Sequence, residues 1–149
     1  MKVVILAGGY GTRLSEYTDT IPKPMVPIGG KPILEHIMDI YSNFGHKDFY
    51  IALGYKGDVI KSHFQNFKKK DWKINLIETG SDTLTGGRLK RLENFLSKET
   101  FLLTYGDGIS NIDINKLIEF HKSHKQMVTI SAVRPPARFG SLSLKGNNV

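Results

Sequence analysis

The chain has 149 residues, 40% of them hydrophobic and 23% charged, which is the composition of one globular domain. At this length a folded chain buries about 70% of its unfolded surface, enough for a real core. Cysteine is absent, which excludes disulfides, thiolate zinc sites and cysteine nucleophiles, and the formal net charge of +7 suits anionic ligands such as nucleotides and sugar phosphates.

Apolar runs suited to buried strands alternate with segments of helical period along the chain, the pattern of βαβ units around a parallel sheet. The predicted strands are 3–7, 49–53, 73–77, 101–105 and 127–133, and a further one begins at 141. The predicted helices are 32–44, 58–67 with Asp58 as N-cap, a segment marked by Leu89, Leu92 and Leu96, and one capped by Asp113. We therefore predict a single α/β domain over 1–149, with helices on both faces of a mostly parallel sheet.

Four of the five complete strands are followed by glycine with polar or charged neighbours. The stretches are GGYGTRL, GYKGD, ETGSDTLTGGR and GDG. Because ligands of open parallel sheets bind beyond the carboxyl ends of the strands, these stretches predict one shared site.

The first of these stretches has the chemistry of an anion-binding loop. It is neither a Walker A loop nor a good dinucleotide fingerprint, since no Gly-Lys-Ser/Thr closes it and Leu14 stands where a third glycine belongs. Its glycines let backbone N–H groups approach an anion, Thr12 adds a hydroxyl, and Arg13 adds a guanidinium suited to phosphate. A tight turn with a surface arginine is the alternative.

Three further residues are candidates for the same site. Lys23 stands between two prolines, which would present its ammonium group from a stiff segment. Arg88 follows Thr85 and two glycines at a predicted helix start, from which it could point back to the site. Asp107, between two glycines at a strand end, is placed to hold Mg²⁺. A solvated lysine, a capped helix with a basic face and a turn aspartate are the respective alternatives.

Other polar clusters carry less information. His121 and His124 lack a third ligand and indicate a solvated helix face, and Lys68–Lys70 indicate a solvated loop rather than a nucleic-acid site. No apolar run approaches the ~18 residues of a membrane span and no secretory pattern precedes the first strand, so we expect a cytoplasmic chain without membrane contact.

With these residues assembled, the chain resembles the sugar-1-phosphate nucleotidyltransferases, whose opening G-G-x-G-T-R-L is followed by a K-P segment. The resemblance implies a Rossmann-like nucleotide-diphospho-sugar transferase fold. It implies catalytic roles for Arg13 and Lys23, a Mg²⁺ ligand in Asp107, and nucleotide contacts for Thr83 and Arg88. It also implies a loop that wraps the nucleotide, formed by Leu6, Ala7, Gly8, Gly9, Tyr10, Gly11, Thr12 and Arg13.

The stretches KPMVPIGGKPILEHIM, LGYKGDVIK, TGGRLKR, TYGDGI and RFGSL are similar to the family's subgroup that uses CTP and α-D-glucose 1-phosphate. This implies in-line attack of the sugar phosphate on the α-phosphorus, release of pyrophosphate, and a place in nucleotide-sugar biosynthesis for O-antigen lipopolysaccharide. Homo-oligomers are expected of the full-length family.

The family continues beyond the region matched here, so the resemblance implies that the chain is the nucleotide-binding part, truncated on the C-terminal side and without the sugar-binding part. Such a chain would turn over poorly or not at all alone. Two alternatives stay open: a thymidylyl- or uridylyltransferase on the same fold, and a nucleotide-binding module without catalysis.

Overall fold

The computed structural model describes residues 1–11, 20–67, 71–96, 99–134 and 146–147. The chain divides into two compact units, Met1–Asn111 and Ile112–Val149, which are described separately. The prediction of one domain over 1–149 stays a prediction.

The first unit holds all the described strands and most of the described helices. In chain order the strands are β1 (Lys2–Leu6), β2 (Pro27–Ile28), β3 (Lys31–Pro32), β4 (Asp48–Leu53), β5 (Lys73–Glu78) and β6 (Leu102–Tyr105). A short 3-10 helix covers Lys23–Met25, and the α-helices of this unit are α1 (Ile33–Asn43), α2 (Gly57–Gln65), α3 (Thr85–Arg91) and α4 (Glu93–Leu96).

Four of the strands form one parallel sheet in the order β5-β4-β1-β6. Leu6 is level with Ala52 on one side and with Tyr105 on the other, so the carboxyl ends of β1, β4 and β6 meet at one edge. The chain builds outward from β1 through β4 to β5 and then returns to place β6 on the opposite side of β1. This is the reversal of strand order at which α/β sheets bind ligands, and the prediction of a mostly parallel α/β fold is confirmed.

Side chains alternate between the two faces of this sheet because the strand period is two residues. On one face, Val4, Leu6, Tyr50 and Ala52 form a buried cluster with Leu92 and Leu96, at the end of α3 and in α4. The alternate residues on the other face are fully buried: Val3, Ile5, Phe49 and Ile51. Leu34, Ile37 and Ile60 of α1 and α2 are equally buried, so helices cover both faces.

Several predicted boundaries differ from the structure. Helix α1 begins one residue after Pro32, which lies in β3 instead. Helix α2 begins at Gly57 rather than after an Asp58 cap, because Lys56 in a left-handed conformation (φ 51°) turns the chain before it. The helix predicted around Leu89–Leu96 is two short helices that meet at Leu92.

The second unit contains α5 (Ile114–His124), and here one prediction is confirmed and one is wrong. The carboxylate of Asp113 accepts a hydrogen bond from the Lys116 N–H at 3.1 Å and caps the helix as predicted. Residues 127–133 form no strand, since a strand needs a hydrogen-bonded neighbour and none pairs with this segment in the described part of the chain. The strand expected to begin at 141 lies outside the described residues. Within the described ranges, no helix is both long enough and apolar enough to cross a membrane.

Candidate functional site

A cavity of about 400 Å³ opens in the first unit at the carboxyl ends of β1 and β6. Its walls come from the loops that follow β1, β5 and β6 and from the 3-10 helix. The cavity therefore lies where the strand order reverses, the position at which the sheet topology predicts a ligand.

The structure brings the predicted site residues that it describes into the wall of this one cavity. They are residues 6–11, Lys23, Thr83, Arg88 and Asp107. Thr12 and Arg13 lie outside the described residues. The shared location follows from parallel strands ending at one edge, and the role of each residue stays a prediction.

The backbone of the glycine-rich loop is held by hydrogen bonds to neighbouring strand ends. The Ala7 N–H donates to the Ala52 carbonyl at 3.0 Å, and the Leu6 carbonyl accepts from Gly106 N–H at 2.9 Å. One residue further, the Gly8 carbonyl accepts from the Tyr55 N–H at 3.2 Å. The loop GYKGD after β4 therefore supports the glycine loop from behind, although it does not line the cavity.

Lys23 and Asp107 both lie in the cavity wall and form an ion pair, with Lys23 Nζ 2.5 Å from Asp107 Oδ2. Their side chains are 26% and 33% exposed, so solvent and ligands can still reach both groups. Pro22, with an extended backbone (φ −69°, ψ 147°), and buried Pro24 hold Lys23 in place. Lys23 is the first residue of the 3-10 helix, and the presentation of its ammonium group to a ligand stays a prediction.

Asp107 suits a magnesium ion in its chemistry but supplies only one carboxylate. Among the described residues, no group of three or more potential metal ligands comes together. Mg²⁺ is often held by one or two carboxylates together with substrate phosphates and water, so the residues present fit an ion that arrives with a nucleotide.

The loop between β5 and α3 forms the opposite wall. Gly80 has a positive φ of 82°, which turns the chain there and places Thr83 in the cavity wall. Gly87 makes room for the same threonine, because a Cβ at Gly87 would lie 2.9 Å from Thr83 Cγ2. The two glycines thus position Thr83, and Thr85 is the first helical residue rather than a cap.

Tyr10 links the glycine loop to this wall. Its hydroxyl donates to a carboxylate oxygen of Asp82, and its ring lies 5.0 Å from the ring of Tyr55. The hydrogen bond to the Asp82 carboxylate raises the pKa of Tyr10 above its ordinary value, with a further contribution from burial. The tyrosine is therefore a neutral donor at ordinary pH.

Arg88 is buried, with 5% of its surface exposed, and its guanidinium donates to uncharged oxygens of the protein. Burial, followed by the charge of Arg91, lowers the pKa of Arg88 below its ordinary value. The acceptors of Nη1 are the Leu53 carbonyl at 3.0 Å, Thr79 Oγ1 at 2.7 Å and the Gly80 carbonyl at 2.8 Å, and those of Nη2 are the Gly8 carbonyl at 2.8 Å and the Ser81 carbonyl at 3.1 Å.

Sequence reasoning missed several residues of the cavity wall. Asp82, Leu84 and Tyr105 lie in stretches that the sequence analysis had assigned to the site, but none was singled out. Leu84 is 85% exposed and Tyr105 58% exposed, and large apolar side chains left open at a cavity are available to a ligand. Their position next to predicted residues was the only signal that could have found them.

A parallel α/β sheet with a glycine loop, a lysine and a carboxylate at its switch point is typical of nucleotide-binding proteins. The sequence model described as nucleotidyl transferase matches residues 2–148. The chain belongs to this family.

Within this family, the chain is similar to proteins named for one particular nucleotidyl transfer. The chain is 47% identical over its whole length to a glucose-1-phosphate cytidylyltransferase of Salmonella typhimurium, of which it covers 66%. It is 43% identical to a probable glucose-1-phosphate cytidylyltransferase of Bacillus subtilis, over 97% of this chain and 65% of that protein. The chain thus spans somewhat less than two thirds of these relatives.

A solved structure supports the fold. HddC from Yersinia pseudotuberculosis, complexed with GMP-PN, superposes with a TM-score of 0.73 at 35% identity. The match covers 80% of this chain and 53% of HddC.

Proposed function

We propose that the chain is the donor-nucleotide part of an enzyme that transfers a cytidylyl group from CTP to α-D-glucose 1-phosphate, giving CDP-glucose and pyrophosphate. The observation that carries the proposal is the single cavity, which gathers the glycine loop, Lys23, Thr83 and Asp107 at the switch point. The 47% identity to a glucose-1-phosphate cytidylyltransferase supports the choice of substrates.

The reaction needs no nucleophile from the protein. A phosphate oxygen of glucose 1-phosphate forms a bond to the α-phosphorus of CTP, and the bond from that phosphorus to the bridging oxygen breaks with pyrophosphate as leaving group. Catalysis is then positioning and charge neutralisation. The glycine loop would hold the donor, and the ammonium group of Lys23 would balance charge on the phosphate under attack.

Asp107 would hold a Mg²⁺ ion, which would supply positive charge to neutralise part of the phosphate charge. In the structure the Asp107 carboxylate is instead balanced by Lys23. A polyphosphate with its ion offers Lys23 and Asp107 a stronger partner each, the phosphate for the lysine and the ion for the carboxylate. Binding would therefore replace the ion pair between them, and neither charge would be left without a partner.

Pyrophosphate release from CTP with Mg²⁺ and glucose 1-phosphate tests the proposal, with a CTP titration on the same sample. Binding of CTP is expected, with slow or no turnover because the chain spans 66% of its relative's length. Turnover that depends on both substrates would mean that these residues hold a complete site. A folded sample that neither binds nor converts CTP would contradict the cytidylyl proposal.

A second candidate function is transfer of another nucleotide on the same fold, favoured by the nucleotide analogue GMP-PN in the HddC complex. Competition among CTP, UTP, dTTP and GTP for the site separates the two candidates. Preference for CTP supports the first candidate. Tighter binding of another nucleotide supports the second. Binding of any nucleotide without pyrophosphate release, also when the part of the Salmonella typhimurium relative that the match does not cover is added, would indicate a module without catalysis.

A further inference from the structure

The guanidinium of Arg88 connects three strand ends that are far apart in sequence. Its acceptors lie directly after β1, at the end of β4 and directly after β5. None of the described carboxylates forms an ion pair with Arg88, and its electrostatic neighbours are Arg91 and Tyr10. The side chain is therefore a charged cross-link whose two terminal nitrogens donate to four backbone carbonyls and the Thr79 hydroxyl.

Two glycines that follow strands of the sheet leave the space that the guanidinium occupies. A Cβ at Gly8 would lie 2.2 Å from Arg88 Nη1, and a Cβ at Gly54 would lie 2.5 Å from the same atom. Neither Gly8 nor Gly54 has a positive φ, so space for the guanidinium explains these glycines better than backbone conformation does.

The bond to Gly8 also orients the next peptide group. The Gly8 carbonyl points at Arg88 Nη2 and the Tyr55 N–H. Because the peptide is planar and trans, the N–H of Gly9 points to the opposite side, away from the guanidinium. Gly9 lines the cavity, and open space surrounds the position of its Cβ.

We propose that Arg88 is a positioning residue for the donor nucleotide: it holds the Gly8 carbonyl and the 79–81 segment so that the glycine loop and Thr83 are set before the nucleotide arrives. The effect on nucleotide binding rests on the proposed function, whereas the effect on the loop in the free protein does not.

The test compares Arg88→Lys, which keeps the charge but loses the planar set of guanidinium donors, with Lys90→Gln as the matched control on the same helix. Lys90 forms an exposed ion pair with Glu93, Nζ to Oε2 at 2.6 Å, and does not line the cavity. Three quantities are measured on each full chain: hydrogen exchange of single amides without nucleotide, the Kd for CTP with Mg²⁺, and the melting temperature.

In Arg88→Lys we expect faster exchange at the Tyr55 N–H, which bonds the Gly8 carbonyl. The Ala7 N–H, bonded to Ala52, is the internal reference and should stay protected. The Kd for CTP should rise by roughly tenfold or more, because charge-assisted hydrogen bonds to the Gly8 carbonyl and to the 79–81 segment are lost. Lys90→Gln should leave the Tyr55 exchange rate and the Kd within roughly twofold of wild type.

Two results would overturn the proposal. Weaker CTP binding with unchanged exchange at Tyr55 would mean that Arg88 contacts the nucleotide directly. Faster exchange with an unchanged Kd would mean that the cross-link only stabilises the fold. If the wild-type chain itself binds no CTP, the proposed function fails together with the nucleotide half of this proposal, while the exchange comparison still decides whether Arg88 positions the loop.

A second pair of variants covers the case in which Arg88→Lys does not fold. Gly8→Ala introduces a methyl group into the space of the guanidinium, since the three atoms nearest to that Cβ position all belong to Arg88. Its loss of melting temperature should exceed that of Gly9→Ala, because open space surrounds the Cβ position of Gly9. Equal losses in the two variants would contradict the cross-link.

Discussion

Lys23 and Lys31 have the same local sequence, a lysine followed by proline, and each forms an ion pair with an aspartate. Only Lys23 lies in the cavity wall, because its partner Asp107 follows β6 whereas the partner of Lys31 is Asp39 on α1. Comparing substitutions of the two residues therefore distinguishes the role of a lysine in the cavity wall from that of an ion-paired lysine outside it.

Lys23→Gln is expected to lower pyrophosphate release by roughly a hundredfold or more, because one charge that stabilises the reacting phosphate is lost. The free energy of unfolding should change by less than about 1 kcal/mol, since the pair is partly exposed. Steady-state kinetics of the chain, or of the full-length enzyme if the chain alone is slow, measure the first quantity. Lys31→Gln is the matched control, and an equal loss of turnover in it would argue against a role for Lys23 in catalysis.

The environment of His46 predicts that the stability of the folded protein depends on pH. Its Nδ1 lies 3.3 Å from the N-terminal ammonium of Met1, and its Nε2 is buried without a hydrogen-bond partner among the described residues. Burial, with a smaller contribution from that ammonium, lowers the pKa of His46 below the ordinary 6.5. The folded state thus disfavours the charged imidazole.

Below pH 6.5 the unfolded chain takes up a proton at His46 that the folded chain does not, so stability falls as the pH drops through this value and levels off below the folded pKa. His46→Asn should remove this component, which is measured as a smaller drop in the free energy of unfolding between pH 7 and pH 5. The same drop in both proteins would show that other groups cause it.

At the scale of elements, the predicted strands of the first unit agree with the structure to within one or two residues. For example, 49–53 was predicted where β4 covers Asp48–Leu53. Buried strands of a parallel sheet are continuous apolar runs, so composition alone locates them. Helix starts were less predictable: α3 begins after Leu84 without a side-chain cap, so no capping residue in the sequence marks its first turn.

Leu92 lies at the junction of α3 and α4, fully buried against the sheet. Leu92→Ala should lower the free energy of unfolding by about 2–5 kcal/mol, because it leaves a cavity between the helices and β1. Leu84→Ala, at a position 85% exposed, should change it by about 0.5 kcal/mol or less. Chemical denaturation measures both, and similar effects of the two substitutions would contradict the packing described for the junction.

At the scale of the whole molecule, nucleotide binding should appear as added thermal stability. At a CTP concentration of 100 times Kd with Mg²⁺, the free energy of unfolding should rise by about 2.7 kcal/mol and the melting temperature by roughly 5–10 °C. CMP at the same concentration should give a smaller shift, because it lacks the β- and γ-phosphates. Asp107→Asn should remove the part of the shift that depends on Mg²⁺, and a full shift in this variant would place the ion elsewhere.

The sequence by itself determined the class of the protein: the parallel strands, the stretches at their ends and most of the residues that meet in the cavity. Those features are local, since apolar runs, glycines and prolines act on their own neighbourhood, and parallel topology brings the strand ends to one edge. Only the tertiary structure decided which charges face each other. Arg88 was predicted as a nucleotide contact, which stays a prediction, and the structure adds hydrogen bonds from its terminal nitrogens to three strand ends up to 80 residues away in sequence. Lys23 likewise meets Asp107 across 84 residues. Partners at such separations are set by strand order and side-chain packing, which no local pattern records.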